Sequence, residues 1–319
     1  MDAAAVGNAP GWQASLRLRF NGDIPHFLAN GDAAPGHERG RTRLIERRHN
    51  GPLIVQRPFY PEGDPCHVYL VHPPGGVVGG DELRIDVLVD AGAHALITTP
   101  AATKFYRCDG RYSSQTQELR TAGATLEWLP QENILYRGAD VRAATRVHVD
   151  ADSRFIGWEI NCLGLPARDE HFDAGTLRLD LELWRAAPAI ASVDKYAVAH
   201  SNPVCLEMRN GPAGPVPIFL DRLRLTGDSR ARGAVWGLAA QEAVGTLLAT
   251  PATRAHVESV RELLADERYA AVSLVDGVLV LRALAPQAEA VRKLFIAAWQ
   301  RLRPTVIGRD AVLPRIWNT

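Results

Sequence analysis

The chain predicts a mainly β body, many-stranded and layered, with about two helices in its C-terminal part. Apolar residues recur at every second position through much of the first 250 residues, the period of a pleated strand with one buried face. Beyond residue 250 the spacing becomes helical, and a hairpin signal lies between the two helical stretches.

Taken in order, Trp12, Ala14, Leu16, Leu18 and Phe20 share one face, with Gln13, Ser15, Arg17 and Arg19 on the other. Strands are expected at 53–56 and 67–72, and alternation returns in Leu83, Ile85, Val87 and Val89. Further strands are expected at 95–99, 125–129, 146–149 and 155–160, followed by the alternating Leu177, Leu179, Leu181 and Leu183. One buried and one wet face predicts antiparallel layers, because a parallel sheet covered on both sides reads as continuously apolar. Loops are expected at 30–40 and around 202–217, the latter with four prolines and two glycines. Val257, Val260, Leu263 and Leu264 give a helix within 252–268, and Val291, Leu294, Phe295, Ala298, Trp299 and Leu302 a clearer one within 287–303. Pro286 suits the first turn of that helix and Pro304 its stop. Asp276-Gly277 between apolar runs predicts a type I′ hairpin. The division expected is a flexible N-terminus over 1–10 and a single body over 11–319, β-rich to 250 and α+β from 251.

Thirty-six basic residues balance thirty-six acidic ones. A nucleic-acid partner is therefore not expected, since no excess of cations is present to displace phosphate counterions. The longest apolar stretch, 233–250, is broken by Gln241 and Glu242, so no membrane span is expected. The first ten residues have no basic start and no apolar core, so no secretory signal is expected. Cys66, Cys108, Cys162 and Cys205 are far apart, which reads as reduced thiols in a cytoplasmic protein.

The most unusual stretch is His72-Pro73-Pro74-Gly75-Gly76-Val77-Val78-Gly79-Gly80-Asp81. It has neither the Lys-Ser/Thr ending of a phosphate loop nor dinucleotide-fold spacing, so tight turns are expected, with Asp81 accepting from nearby backbone N–H groups. Cys66 and His67 are chemically suitable for a borderline metal, but neighbours on a strand point to opposite faces. The plainer reading is a buried cysteine beside a surface histidine, compatible with a transient ion. No catalytic signature is visible: there is no G-x-S-x-G, no H-E-x-x-H, and Cys108 has no evident base. The carboxylates Glu127, Glu132, Glu159 and Asp169 could pair as acid and base, but spacing does not show that they converge.

Several blocks, in order, resemble the urease accessory protein UreD (UreH) family. They are Gly51-Pro52-Leu53, Val55 to Gly63 with its Arg57-Pro58-Phe59-Tyr60-Pro61-Glu62, and Cys66-His67-Val68-Tyr69-Leu70. The His72 to Asp81 block follows, then Thr103-Lys104-Phe105-Tyr106-Arg107, Leu126-Glu127-Trp128-Leu129-Pro130-Gln131-Glu132, Cys162-Leu163-Gly164 and Leu313-Pro314-Arg315-Ile316-Trp317. The resemblance implies a helix-like winding of strands and a non-catalytic scaffold without a permanent cofactor. It implies nickel in transit, the partner UreF, the GTPase UreG reached through UreF, and the urease apoprotein as recipient. Such a passage needs weak, exchanging ligands, which leaves no closed metal motif. Transferred residue by residue, the passage candidates are Asp81, Thr103, Asp221 and Asp64, with Cys66 and His67 as transient ligands. Asp221 stands before Arg222-Leu223 where relatives carry glutamate, and Leu165 follows Cys162-Leu163-Gly164 where they carry arginine. The segment 186–215 is longer than the family leads one to expect. Two competing readings are a β-rich metal-assisted hydrolase and a pure protein-interaction module.

Overall fold

The computed structural model describes residues 11–22, 40–185 and 214–318. The expected flexible 1–10, most of the 30–40 loop, Cys205 and most of 186–215 lie outside them. The strands, in chain order, are β1 (Gln13–Asn21), β2 (Arg43–Asn50), β3 (Ile54–Val55), β4 (Cys66–Val71), β5 (Glu82–Val89) and β6 (His94–Thr98). There follow β7 (Thr103–Phe105), β8 (Ser113–Thr121), β9 (Thr125–Leu129), β10 (Asn133–Leu135), β11 (Asp140–Val149) and β12 (Arg154–Leu165). The last are β13 (Glu170–His171), β14 (Thr176–Arg185), β15 (Val216–Thr226), β16 (Ala243–Thr250), β17 (Ala270–Val275) and β18 (Val278–Ala285), with helices α1 (Arg254–Arg261) and α2 (Ala288–Leu302).

These strands form two mixed sheets. One runs β15-β14-β11-β8-β5-β1-β2, and the other β17-β18-β16-β12-β9-β6-β4-β3 with three short strands beside it. From β4 to β14 the long strands alternate between the sheets, so each coil adds one strand to each. Neighbouring coils pair in parallel: β5 with β8, β8 with β11 and β11 with β14 in the first sheet, and β4 with β6, β6 with β9 and β9 with β12 in the second. The helix-like winding is present. The antiparallel expectation is corrected: antiparallel pairs flank this parallel centre, as in β1–β2, β14–β15, β12–β16 and the β17–β18 hairpin. The inference failed because, among the described residues, no α-helix covers the outer face of the first sheet, so its parallel strands still alternate.

The second sheet is covered on both faces, and its strands read accordingly: β6 is buried at every position. Odd-numbered residues of β12, such as Phe155 and Leu163, enter the core between the sheets; even ones, such as Ile156, Trp158 and Ile160, enter a second core beneath α2. Phe295, Ala298, Trp299 and Leu302 of α2 close that second core. Gly245 of β16 is required here, because a Cβ would lie 2.5 Å from Val291 Cγ1 and 2.8 Å from the Phe295 ring. Gly245→Val should therefore displace α2 and cost about 1–3 kcal/mol or more by overpacking, read as a lowered melting temperature.

Other details differ from expectation. Trp12 precedes β1 and is 65% exposed, so it does not join the buried face. Pro286 lies before the N-cap Gln287 of α2, outside its first turn, and Pro304 sits within a wider π turn that ends at Gly308. The hairpin forms as expected, with positive φ at Asp276 and Gly277. On the outer face of the first sheet Asp86, Glu118, Arg146 and Glu182 stand in register across four strands. Arg146 binds Glu118 at 3.0 Å and Glu182 at 3.3 Å, and Arg120 binds Glu118 at 3.2 Å. Burial would raise the Glu118 carboxyl, but hydrogen bonds from His148 and Arg146 hold it below the usual range. This ladder keeps the uncovered face polar.

Candidate functional site

The interior between the sheets is not uniformly apolar. β8 turns Ser113, Gln115 and Gln117 inward, all buried, which explains why apolar alternation gave no strand there. β11 contributes Thr145, whose hydroxyl lies 2.8 Å from Gln117 Oε1 and is also hydrogen-bonded to Glu159 Oε1. From β15, Asp221 meets Arg282 at 3.0 Å and accepts from the Thr246 hydroxyl at 3.4 Å.

Two cavities lie along these residues. The larger, about 170 Å³, is lined by His72, Thr103, Lys104, Gln117, Trp128 and Glu159 among others. The smaller, about 50 Å³, is lined by Glu159, Asn161, Asp221 and Thr246 with apolar neighbours. Glu159 is common to both walls. It keeps some accessible surface there, and burial pushes its carboxyl up to about 7, with the Asp221 and Asp180 charges adding to the rise. No cation pairs with it within salt-bridge distance among the described residues. A carboxylate without a cationic partner, facing space, can exchange its proton or hold a passing cation. Trp128 has a buried indole N–H with no partner among the described residues, which a polar guest in the larger cavity would satisfy.

The six residues expected from the sequence fall in different surroundings. Thr103 lines the larger cavity and Asp221 the smaller. Asp81 is buried with its oxygens on the backbone N–H groups of Trp12 at 2.9 Å and Val78 at 3.0 Å, as the turn reading requires. His72, in the larger cavity's wall, has its imidazole pulled down by burial, against the opposing Asp81 charge. Asp64 is ion-paired with Arg309. Cys66 lies in the inter-sheet core, where burial pushes its thiol up to about 11. His67 is completely buried, which corrects its reading as a surface histidine. Its Nε2 donates to Glu62 Oε1 at 2.6 Å, on the side of β4 opposite Cys66. Among the described residues, no three His, Cys, Asp or Glu side chains group as a metal cluster.

His67 belongs to a buried ionic network that sequence reasoning missed. Arg303, fully buried, donates to Glu62 at 2.7 and 2.9 Å and to Glu127 at 3.0–3.1 Å, and also bonds the Asp310 carbonyl. Glu127 further accepts from His94 Nε2 at 2.7 Å and from Trp299 Nε1 at 2.6 Å. Burial alone would raise the Glu127 carboxyl, but the hydrogen bond and charge of His94, with Arg303, bring it down to about 2. The available signal was Glu127 itself, a charge in the strand β9, which is buried at four of its five positions and so demands a partner.

Coils of two sheets, a helical layer on one side and a line of polar side chains within define a β-solenoid body with two small interior cavities. The model of the UreD urease accessory protein family matches residues 29–318. A urease accessory protein UreD of Alkalilimnicola ehrlichii is 41% identical over 99% of this chain and 94% of its own length. Those of Klebsiella aerogenes (40%; 97% of each chain) and Pseudomonas entomophila (38%; 97% of this chain, 95% of the relative) are similar throughout. The chain belongs to the UreD urease accessory protein family. Among its described residues, no helix is long and apolar enough to cross a membrane.

Proposed function

We propose that this chain is a non-catalytic maturation factor that, with UreF and the GTPase UreG, guides nickel into the urease apoprotein. The observation that best supports this reading is Glu159, shared by the walls of two interior cavities with Thr103 in one wall and Asp221 in the other. Nickel is cargo here, not a resident cofactor. Hydroxyl, amide and single carboxylate oxygens bind a borderline cation weakly, so an ion can enter such a line and leave it again. Asp81 acts at one remove, keeping the glycine turn in place and its charge near His72. Asp64, Cys66 and His67 are secondary candidates: the first is half-exposed near the chain surface, and the other two are committed to the core and to Glu62. The setting proposed is cytoplasmic, where the urease apoprotein is made.

The test is urease activation in cells that make the urease subunits and the other accessory proteins, with or without this chain. Urease should stay nickel-poor without it and recover with it. Asp221→Ala should lower the nickel content of urease several-fold while the accessory complex still assembles. Equal activation in its absence would refute the role, and an Asp221→Ala variant with full nickel delivery would favour a pure interaction module.

A further inference from the structure

Edge strands present unpaired N–H and C=O groups, and proteins commonly protect them with charge, proline or short length. Here β2 carries Arg43, Glu46, Arg47 and Arg48, β15 carries Pro217, Asp221, Arg222 and Arg224, and β3 has two residues. The edge strand β17 has no such protection. It reads Ala270-Ala271-Val272-Ser273-Leu274-Val275, without charge or proline, and its Leu274 and Val275 are 37% and 44% exposed. Among the described residues it pairs with β18 alone.

The backbone pattern fixes which groups are free. Val275 faces Val278 across the two-residue turn, and the Leu284 N–H donates to the Tyr269 carbonyl at 2.9 Å. Odd-numbered residues 269–275 therefore direct their backbone groups towards β18, and Ala270, Val272 and Leu274 direct theirs outward. The Ala270 N–H is engaged by the Glu267 carbonyl at 3.3 Å, which leaves, among the described residues, its carbonyl and both groups of Val272 and Leu274.

We propose that this edge pairs antiparallel with the same edge of a second copy, about a two-fold axis at Val272. In that register Val272 meets Val272 and Leu274 meets Ala270, so outward groups face outward groups. Four hydrogen bonds follow: two between the Val272 residues and two from Leu274 N–H to Ala270 carbonyls. The register also brings Arg268 of each copy opposite Asp276 of the other. Arg268 is exposed against the Tyr269 ring, and Asp276 is 61% exposed and held loosely by Arg185 at 3.4 Å. That complementarity at both ends favours a second copy over an unrelated strand.

Ala271 and Ser273 are exposed and would lie opposite each other in a non-hydrogen-bonded pair, where Cα atoms approach to roughly 4.5 Å, within reach of a disulfide. Two differently tagged full-length copies, one Ala271→Cys and the other Ser273→Cys, would be produced in one cell and oxidised. A mixed-tag disulfide at least tenfold above that of tagged copies carrying only the native cysteines is expected. Leu274→Pro removes an outward donor not used by β18, and Arg268→Glu places like charges together; each should lower the cross-link several-fold. The full chain in solution should show twice the 34.8 kDa mass of one copy, reverting in the Arg268→Glu variant. Absence of the mixed disulfide, or a cross-link and doubled mass unchanged by both variants, would overturn the proposal.

Discussion

Replacing Arg303 with methionine should destabilise the chain by about 3–5 kcal/mol, the usual cost of removing one partner from a buried ion pair. Glu62 and Glu127 would both lose their guanidinium, and a Glu127 carboxylate completely removed from solvent would keep only His94 and Trp299. Against a typical total of about 5–15 kcal/mol this is enough to remove most soluble protein from an expressing cell. Chemical denaturation of whatever accumulates measures the loss. Adding Glu127→Gln to Arg303→Met should recover part of it, because the stranded charge is then gone; no recovery would show that Arg303 acts by packing. Acid reads the same network. The folded Glu127 carboxyl, near 2, lies below its ordinary value of 4.5, so its contribution is fully present above about pH 4.5 and lost as the pH falls towards 2. By linkage that contribution is about 3 kcal/mol, and Glu62, also lowered, loses stability in the same direction.

Glu159→Gln should do the opposite to stability while harming function. The folded carboxyl, near 7, lies above its ordinary value, so the native state favours the protonated acid. The resulting penalty is absent below about pH 4.5, grows as the pH rises and levels off above 7, at up to about 3 kcal/mol. An amide cannot ionise, so the variant should melt several degrees higher than the parent at pH 8 and at nearly the same temperature at pH 4.5. If the line through Glu159 carries nickel, urease made with this more stable variant should contain at least several-fold less metal. A stabilised variant that activates urease fully would leave Glu159 with a structural role alone.

Alternation in Leu83 to Val89 and Leu177 to Leu183 showed which faces are buried, because period two depends on local geometry alone. Strand direction was not legible. Alternation reports whether an outer face is covered and not which way a strand runs: both sheets have parallel centres, and α2, which covers only the second, lies more than a hundred residues from β9 and β6. β8 escaped notice because its inward positions are serine and glutamine, polar in service of the interior line. Thr103 and Asp221, which line the two cavities, were named as candidates through family resemblance, whereas Glu159 was one carboxylate among several until topology placed it between those cavities. Arg303 could not be anticipated: its partners are 241 and 176 residues earlier in the chain.

That separation has a consequence for synthesis. Glu62 and Glu127 leave the ribosome long before Arg303, and at about 5–20 residues per second the guanidinium follows Glu127 by roughly 9–35 seconds. During that interval Glu127 on β9 and Glu62 in the turn before β4 have only His94 and His67 as partners and lack the guanidinium that joins them, so burial of the pair beneath α2 waits for Arg303. Completion of the fold is thereby reserved for the finished polypeptide, and a messenger truncated before codon 303 should yield a product recognised by proteases and not by partners.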